Sequence, residues 1–216
     1  MKTGISAIAG LGLSVFCLLL CFLALGCCQQ GAPASECREL LSPDNLDGWR
    51  MTRQYTGARP WVFENDAFRA TAWPGNWVIY EQPFADFELV CEFLFEHAQG
   101  GIVLRGADEG RPWRSGYELD IDWADKPTHG HIHFPVLPKT PSGRARFEAG
   151  KWHIVKVRAV GKHFQVWLDG EEVFEFTDST FRWGHIILEG EAAGVRYRNL
   201  RVRPIGPAKP TGARLR

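Results

Sequence analysis

Three carboxylates occupy alternate positions of one short segment, Tyr117-Glu118-Leu119-Asp120-Ile121-Asp122-Trp123. Successive side chains of a strand point to opposite faces. As a strand, this segment puts Glu118, Asp120 and Asp122 on one face and Tyr117, Leu119, Ile121 and Trp123 on the other, toward a core. Like charges held so close raise the pKa of at least one of them, the condition a general acid needs. A solvated outer face, where the charges cost little, shows the same pattern. Downstream, His131-Ile132-His133 places two imidazoles on one face. Beside the acidic strand they would suit acid/base work or a divalent cation, and surface histidines have the same spacing. Arg105 closes the run Gly101-Ile102-Val103-Leu104-Arg105. With Ile102 and Leu104 inward, Arg105 is expected beside Val103 on the open face, where a guanidinium neutralises carboxylates or binds a substrate oxygen. Its other reading is a surface ion pair worth ~0–1 kcal/mol. Trp73, Trp77, Trp113 and Trp123 lie near these segments. Exposed rings among them would pack against the C–H faces of a sugar, whereas most Trp of a β-sandwich belong to the core. The candidate catalytic residues are therefore Glu118, Asp122 and Asp120, and the candidate substrate-binding residues are Arg105, His131, His133 and Trp113.

These residues need strands to position them, and the chain supplies strands. In Asp86–Glu96 the apolar set Phe87, Leu89, Cys91, Phe93 and Phe95 alternates with Glu88, Glu92 and Glu96, the period of a half-buried strand. Asp169-Gly170 separates two alternating runs and predicts a tight hairpin. No helical period stands out beyond the N-terminus. Short antiparallel strands at regular spacing predict an all-β jelly-roll sandwich of two antiparallel sheets.

The 216 residues carry 25 Lys and Arg against 25 Asp and Glu. A zero net charge argues against nucleic acid as the main partner, which requires a concentrated basic surface. Lys2 followed by the apolar run Ile5–Leu25 reads as a secretory signal over residues 1–27, or as an uncleaved anchor, since ~20 apolar residues span a bilayer. Leu25-Gly26-Cys27-Cys28 resembles a bacterial lipoprotein cleavage site, with Cys27 as the expected lipidation site and Cys28 as the alternative. The expected location is the cell envelope, with membrane contact through that lipid or anchor. Residues 28–39 read as a tether, 40–204 as the folded domain and 205–216 as a disordered basic tail. Only Cys37 and Cys91 fall in the folded part, which gives no zinc spacing. A bridge between them and a buried thiol at Cys91 both remain open.

Several segments together resemble the 3-keto-disaccharide hydrolase domain family. Leu40-Leu41-Ser42-Pro43-Asp44-Asn45-Leu46-Asp47-Gly48-Trp49 is similar to its opening "LFNGKDLDGW", Gly101–Gly106 to "sGiflRg" and Gly116–Asp122 to "GyEvQilD". Gly184–Gly190 is similar to "GhIgLQ.H", and Val195–Val202 to "v.fRNirv". Order and spacing are kept over about residues 40–204. The resemblance implies a concanavalin A-like sandwich, export, and hydrolysis of 3-keto-glycosides. The sequence departs from the pattern at Asp120, where the family carries Gln, and at Gly130–His133, where "GaiY" is common. Glu118-Leu119-Asp120-Ile121-Asp122 is also similar to the Glu-Ile-Asp-Ile-Glu strand of retaining glucanases. That likeness implies Glu118 as nucleophile, Asp122 as acid/base and Asp120 as the residue that sets their ionisation. Retention needs carboxyls roughly 5–5.5 Å apart, whereas residues i and i+4 of a strand are ~13 Å apart at Cα.

The expected function is an exported carbohydrate-active enzyme that hydrolyses 3-keto-glycosides, or eliminates the aglycone and adds water, in one concave carboxylate-lined cleft. The sequence requires no cofactor, and a divalent cation is the one that the acidic residues would suit. The alternatives are a non-catalytic carbohydrate-binding module, a retaining glucanase-like glycosidase, and a structural envelope lipoprotein.

Overall fold

The computed structural model describes residues 37–42, 46–52, 61–71, 76–97, 99–108, 110–123, 129–134, 143–191 and 194–205. The signal and lipidation readings at residues 1–27, including Cys27, lie outside the described residues, as do Trp73 and nearly all of the tail. Among the described residues no helix is long and apolar enough to cross a membrane.

Two antiparallel sheets form the protein, with strands numbered in chain order. One runs β13 (Glu171–Thr177), β12 (His163–Leu168), β11 (Trp152–Val160), β6 (Phe87–Phe95), β15 (Val195–Pro204), β4 (Ala67–Ala70) and β3 (Trp61–Glu64). β1 (Arg38–Glu39) also pairs with β15. The other runs β10 (Ala145–Glu148), β9 (His129–His133), β8 (Tyr117–Trp123), β7 (Gly100–Gly106), β14 (His185–Gly190), β5 (Asn76–Tyr80) and β2 (Trp49–Met51). The protein is an all-β sandwich, as the alternation predicts.

Alternation decides what each sheet buries. Phe87, Leu89, Cys91, Phe93 and Phe95 of β6 are all fully buried and share one core with Tyr117, Leu119 and Ile121 of β8 and Ile132 of β9. Cys91 is a buried thiol, and no disulfide joins it to Cys37. Trp123 departs from the expected inward face. It is 38% exposed, at the end of β8, with its ring edge-on to Phe95. Asp169 and Gly170, at φ 52° and 91°, turn β12 into β13. Both positive angles suit the tight hairpin that joins right-twisted strands.

Strand alternation fails at Arg105, and the expectation that it faces the open side is corrected. The register of β7 against β14 shifts between His185 and Ile187, and Arg105 has φ 55°. This bulge sends Leu104 and Arg105 inward in succession. Arg105 is 1% exposed. Its guanidinium donates to the carbonyls of Ala85 (2.8 Å), Gly161 (2.8 Å) and Phe181 (3.1 Å) and to Asp86 Oδ1 (3.2 Å). It also stacks 4.9 Å from the centre of the Phe164 ring. A Cβ on Gly184 would lie 2.4 Å from the Arg105 carbonyl carbon, so only glycine lets β14 start against this bulge.

Candidate functional site

The seven-stranded sheet turns Glu118, Asp120 and Asp122 away from the core, as alternation along β8 requires. β9 is its neighbour, with Asp120 opposite His133 and Asp122 opposite His131. Paired residues of an antiparallel ladder share a face, so the two histidines join the carboxylates. The His131 and His133 rings are 4.9 Å apart. His133 Nε2 is 3.7 Å from Asp120 Oδ2, an electrostatic contact longer than a hydrogen bond. On the other side of β8, Asp120 lies opposite Gly101, and Gly101 lies opposite Glu189 of β14. The row across the sheet is thus His133, Asp120, Gly101, Glu189 and then Trp77.

Gly101 leaves a gap in that row. A Cβ there would lie 3.5 Å from Glu118 Oε1 and 3.5 Å from Glu189 Oε2. With Leu119 O 3.3 Å away as well, both carboxyls thus come to the side-chain position that Gly101 leaves bare and flank one point of the sheet. The backbone beneath is tied to the opposite sheet by Tyr197 of β15, whose hydroxyl bonds the carbonyls of Gly101 (3.2 Å) and Glu189 (2.7 Å). Glu118 and His131 are only 6% and 2% exposed although they sit on an outer sheet face, so this part of the face is recessed. One border is apolar. Trp77, Ile79, Val103 and Ile187 form a second hydrophobic cluster, and Trp113, on the 3-10 turn Pro112–Arg114, packs on it. The Trp77 and Trp113 rings stack at 5.4 Å, and the half-buried Trp113 carries Arg111 5.5 Å over its ring.

Electrostatics follow from the geometry. Burial pushes Glu118 up to about 8, with the Asp120 charge adding to it. Burial, then Asp122 and Glu191, pushes Asp120 up to about 7. Glu189 stands among Glu118, Asp120, Glu191 and Asp122, and burial together with those four charges holds it well above the carboxylate range. His133 is lowered, first by burial and then by His131 and Arg144, so at neutral pH its ring is uncharged. Asp120 Oδ1 and His133 Nδ1 have no hydrogen-bond partner among the described residues. Among the described residues no group of three or more His, Cys, Asp or Glu gathers closely enough to hold a metal ion.

Residues 37–203 match the family model of the 3-keto-alpha-glucoside-1,2-lyase-like domain. The chain belongs to that family. No curated protein matches the chain significantly. The lyase-like domain also resembles solved structures in fold. A proposed glycosyl hydrolase from Parabacteroides distasonis ATCC 8503 is 14% identical, with a TM-score of 0.63 over 80% of this chain and 95% of that one. A protein of unknown function with a galectin-like fold from Bacillus subtilis is 12% identical, with a TM-score of 0.54 over 77% and 94%. Carbohydrate-binding module CBM66 from the same species is 16% identical, with a TM-score of 0.50 over 71% and 94%. The lyase-like domain thus has the fold shared by glycosyl hydrolase-like proteins and carbohydrate-binding modules.

Of the residues singled out in the sequence, Glu118, Asp120, Asp122, His131 and His133 come together, Trp113 lies at their border, and Arg105 lies elsewhere. Glu189 was missed. Its segment reads as one more core strand, and the available signal was the family pattern itself, which carries Gln where this lyase-like domain has Glu189.

The cluster makes a sign-definite prediction. In the unfolded chain Glu118 ionises near its ordinary value of 4.5, whereas in the fold it keeps its proton up to about 8. The native state binds the extra proton between those pH values, so this group's stabilising contribution is complete below about 4.5 and is lost as pH rises through about 8. Glu118→Gln should match wild-type stability near pH 4.5 and exceed it by a few kcal/mol at pH 8, at about 1.4 kcal/mol per pKa unit. Urea unfolding at the two pH values measures this, and a variant less stable than wild type at pH 8 contradicts the burial assigned to Glu118.

Proposed function

We propose that this protein cleaves 3-keto-glucosides by removing the proton at C2 and expelling the aglycone from C1. The carrying observation is the gap at Gly101, flanked by Glu118 and Glu189 with neutral His133 along the same row. A ketone at C3 makes the C2 proton acidic, so the chemistry needs a base at C2 and a hydrogen-bond donor at the C3 oxygen. Glu118 is the base. It acts in its ionised form, whose share grows as pH approaches about 8, and in that form it is a stronger base than an ordinary carboxylate. His133, uncharged, is the donor to the developing enolate in the tautomer that carries its proton on Nδ1, an atom with no hydrogen-bond partner among the described residues. Membership in a lyase-like family supports elimination, and water added to the unsaturated product gives net hydrolysis.

A glucanase mechanism is less well supported. Its second carboxyl would be Asp122 on the same strand, whereas the carboxyl that faces Glu118 across Gly101 is Glu189 on β14. A binding module is the second reading, favoured by the half-exposed Trp113 on Trp77. The proposal includes export by the N-terminal segment, with Cys27 lipidated.

The test is incubation with methyl and 4-nitrophenyl 3-keto-α-glucosides and with the unmodified parents, with and without a chelator, followed by product analysis. Turnover of the keto forms alone is expected, with loss of the C2 proton to solvent. Cleavage of the parents would favour the glucanase mechanism. Binding without turnover would make the protein a binding module, and loss of activity with chelator would bring in a divalent cation.

A further inference from the structure

We propose that Glu189 is the general acid of this site, protonating the oxygen of the departing aglycone while Glu118 takes the proton from C2. The assignment rests on the keto-glucoside reading above. Two observations carry it. The first is position: Glu118 Oε1 and Glu189 Oε2 each lie 3.5 Å from the side-chain position that Gly101 leaves bare, so the two carboxyls flank one point of the sheet face. A sugar seated there presents C2 to one carboxyl and the C1 substituent to the other. The second is surroundings. Glu189 stands at the middle of the acidic group, opposite Gly101 in the row that leads to Asp120 and two residues before Glu191. Five carboxylates cannot all ionise so close together, and the central one is where a proton offsets the most repulsion. Burial and its four neighbours raise Glu189 accordingly. It is nevertheless only partly buried, so a ligand can reach it.

The step balances within the two side chains. Glu118 accepts the C2 proton, and the C–H electron pair becomes the C2=C3 bond of an enolate. That pair then forms C1=C2, the C3 carbonyl returns, and the C1–O bond breaks. Its electrons leave on the aglycone oxygen, which takes the Glu189 proton. The products are a 1,2-unsaturated 3-ketone and an alcohol. Transfer of the gained proton from Glu118 to Glu189 across Gly101 restores the starting state without a net proton from solvent.

Acid assistance matters in proportion to how poor the leaving group is. An alkoxide or a sugar needs the proton, and a nitrophenolate does not. The experiment compares Glu189→Gln with wild type on methyl and 4-nitrophenyl 3-keto-α-glucosides, with a thermal melt of each protein. We expect the variant to lose at least about a hundredfold in kcat on the methyl substrate and less than about fivefold on the nitrophenyl one. The high-pH fall of the wild-type rate on the methyl substrate should vanish in the variant. Glu189→Asp, which keeps a proton to give, should recover part of the methyl activity. Equal losses on both substrates, or no loss on either, overturn the assignment while leaving the keto-glucoside reading intact. A wild-type protein inert toward both keto substrates overturns that reading, and the assignment with it.

Discussion

Replacing Glu118 by Gln should cost at least about a hundredfold in turnover of a 3-keto-glucoside while the fold gains stability above pH 5. The pairing of these outcomes is the test. Glu118 is 6% exposed on an outer face, beside Asp120 and across a gap from Glu189. Burial beside Asp120 opposes the ionised form, so above its raised pKa the charge of Glu118 works against the fold. Gln keeps the shape and removes both the charge and the basicity. The kcat of the variant on methyl 3-keto-α-glucoside, together with its urea midpoint at pH 8, measures the two sides. A stable variant with near-normal turnover would remove Glu118 from the chemistry.

Replacing Arg105 by Met should do the reverse. The side chain is buried, and its guanidinium bonds three carbonyls and Asp86. Burial draws it down to about 10, which still leaves it charged at neutral pH. Removing one partner of a buried, bonded charge group costs about 3–5 kcal/mol, a large share of the ~5–15 kcal/mol that holds a domain together. In a domain of this size that is a fall of roughly 10 °C or more in Tm. The Lys variant should recover little, because an ammonium cannot reproduce the planar fork. Thermal unfolding of both variants checks this. An unchanged Tm with lost sugar turnover would return Arg105 to the site.

These two residues also mark what the sequence could and could not say. The Glu118, Asp120 and Asp122 face, the shared face of His131 and His133, and the Asp169-Gly170 turn follow from local rules of alternation and backbone angle, whereas the meeting of the two faces rests on β8 pairing with β9. Arg105 obeys the same alternation on paper. Its inversion depends on a bulge opposite His185–Ile187, and nothing about an arginine announces a positive φ. Glu189 was hidden for a different reason. It meets Glu118 only because β14 pairs with β7 and β7 with β8, a neighbourhood set by long-range strand order. Trp113 was placed near the site by its distance along the chain, but its stack on Trp77 depends on the same pairing, since Trp77 reaches the row through β14.

That strand order has a kinetic side. β15 lies between β6 and β4 in the larger sheet, with Pro204 opposite Phe87 and Val195 opposite Phe95. Its Tyr197 also fixes the backbone under Gly101 and Glu189. Most of the sandwich precedes this strand in synthesis, yet the larger sheet cannot close until residue 204 has left the ribosome. Folding dominated by such remote pairings takes on the order of milliseconds to seconds. A chain whose inner strand arrives so late keeps the facing edges of β6 and β4 unpaired until then, and those two edges are where a second unfolded copy would pair.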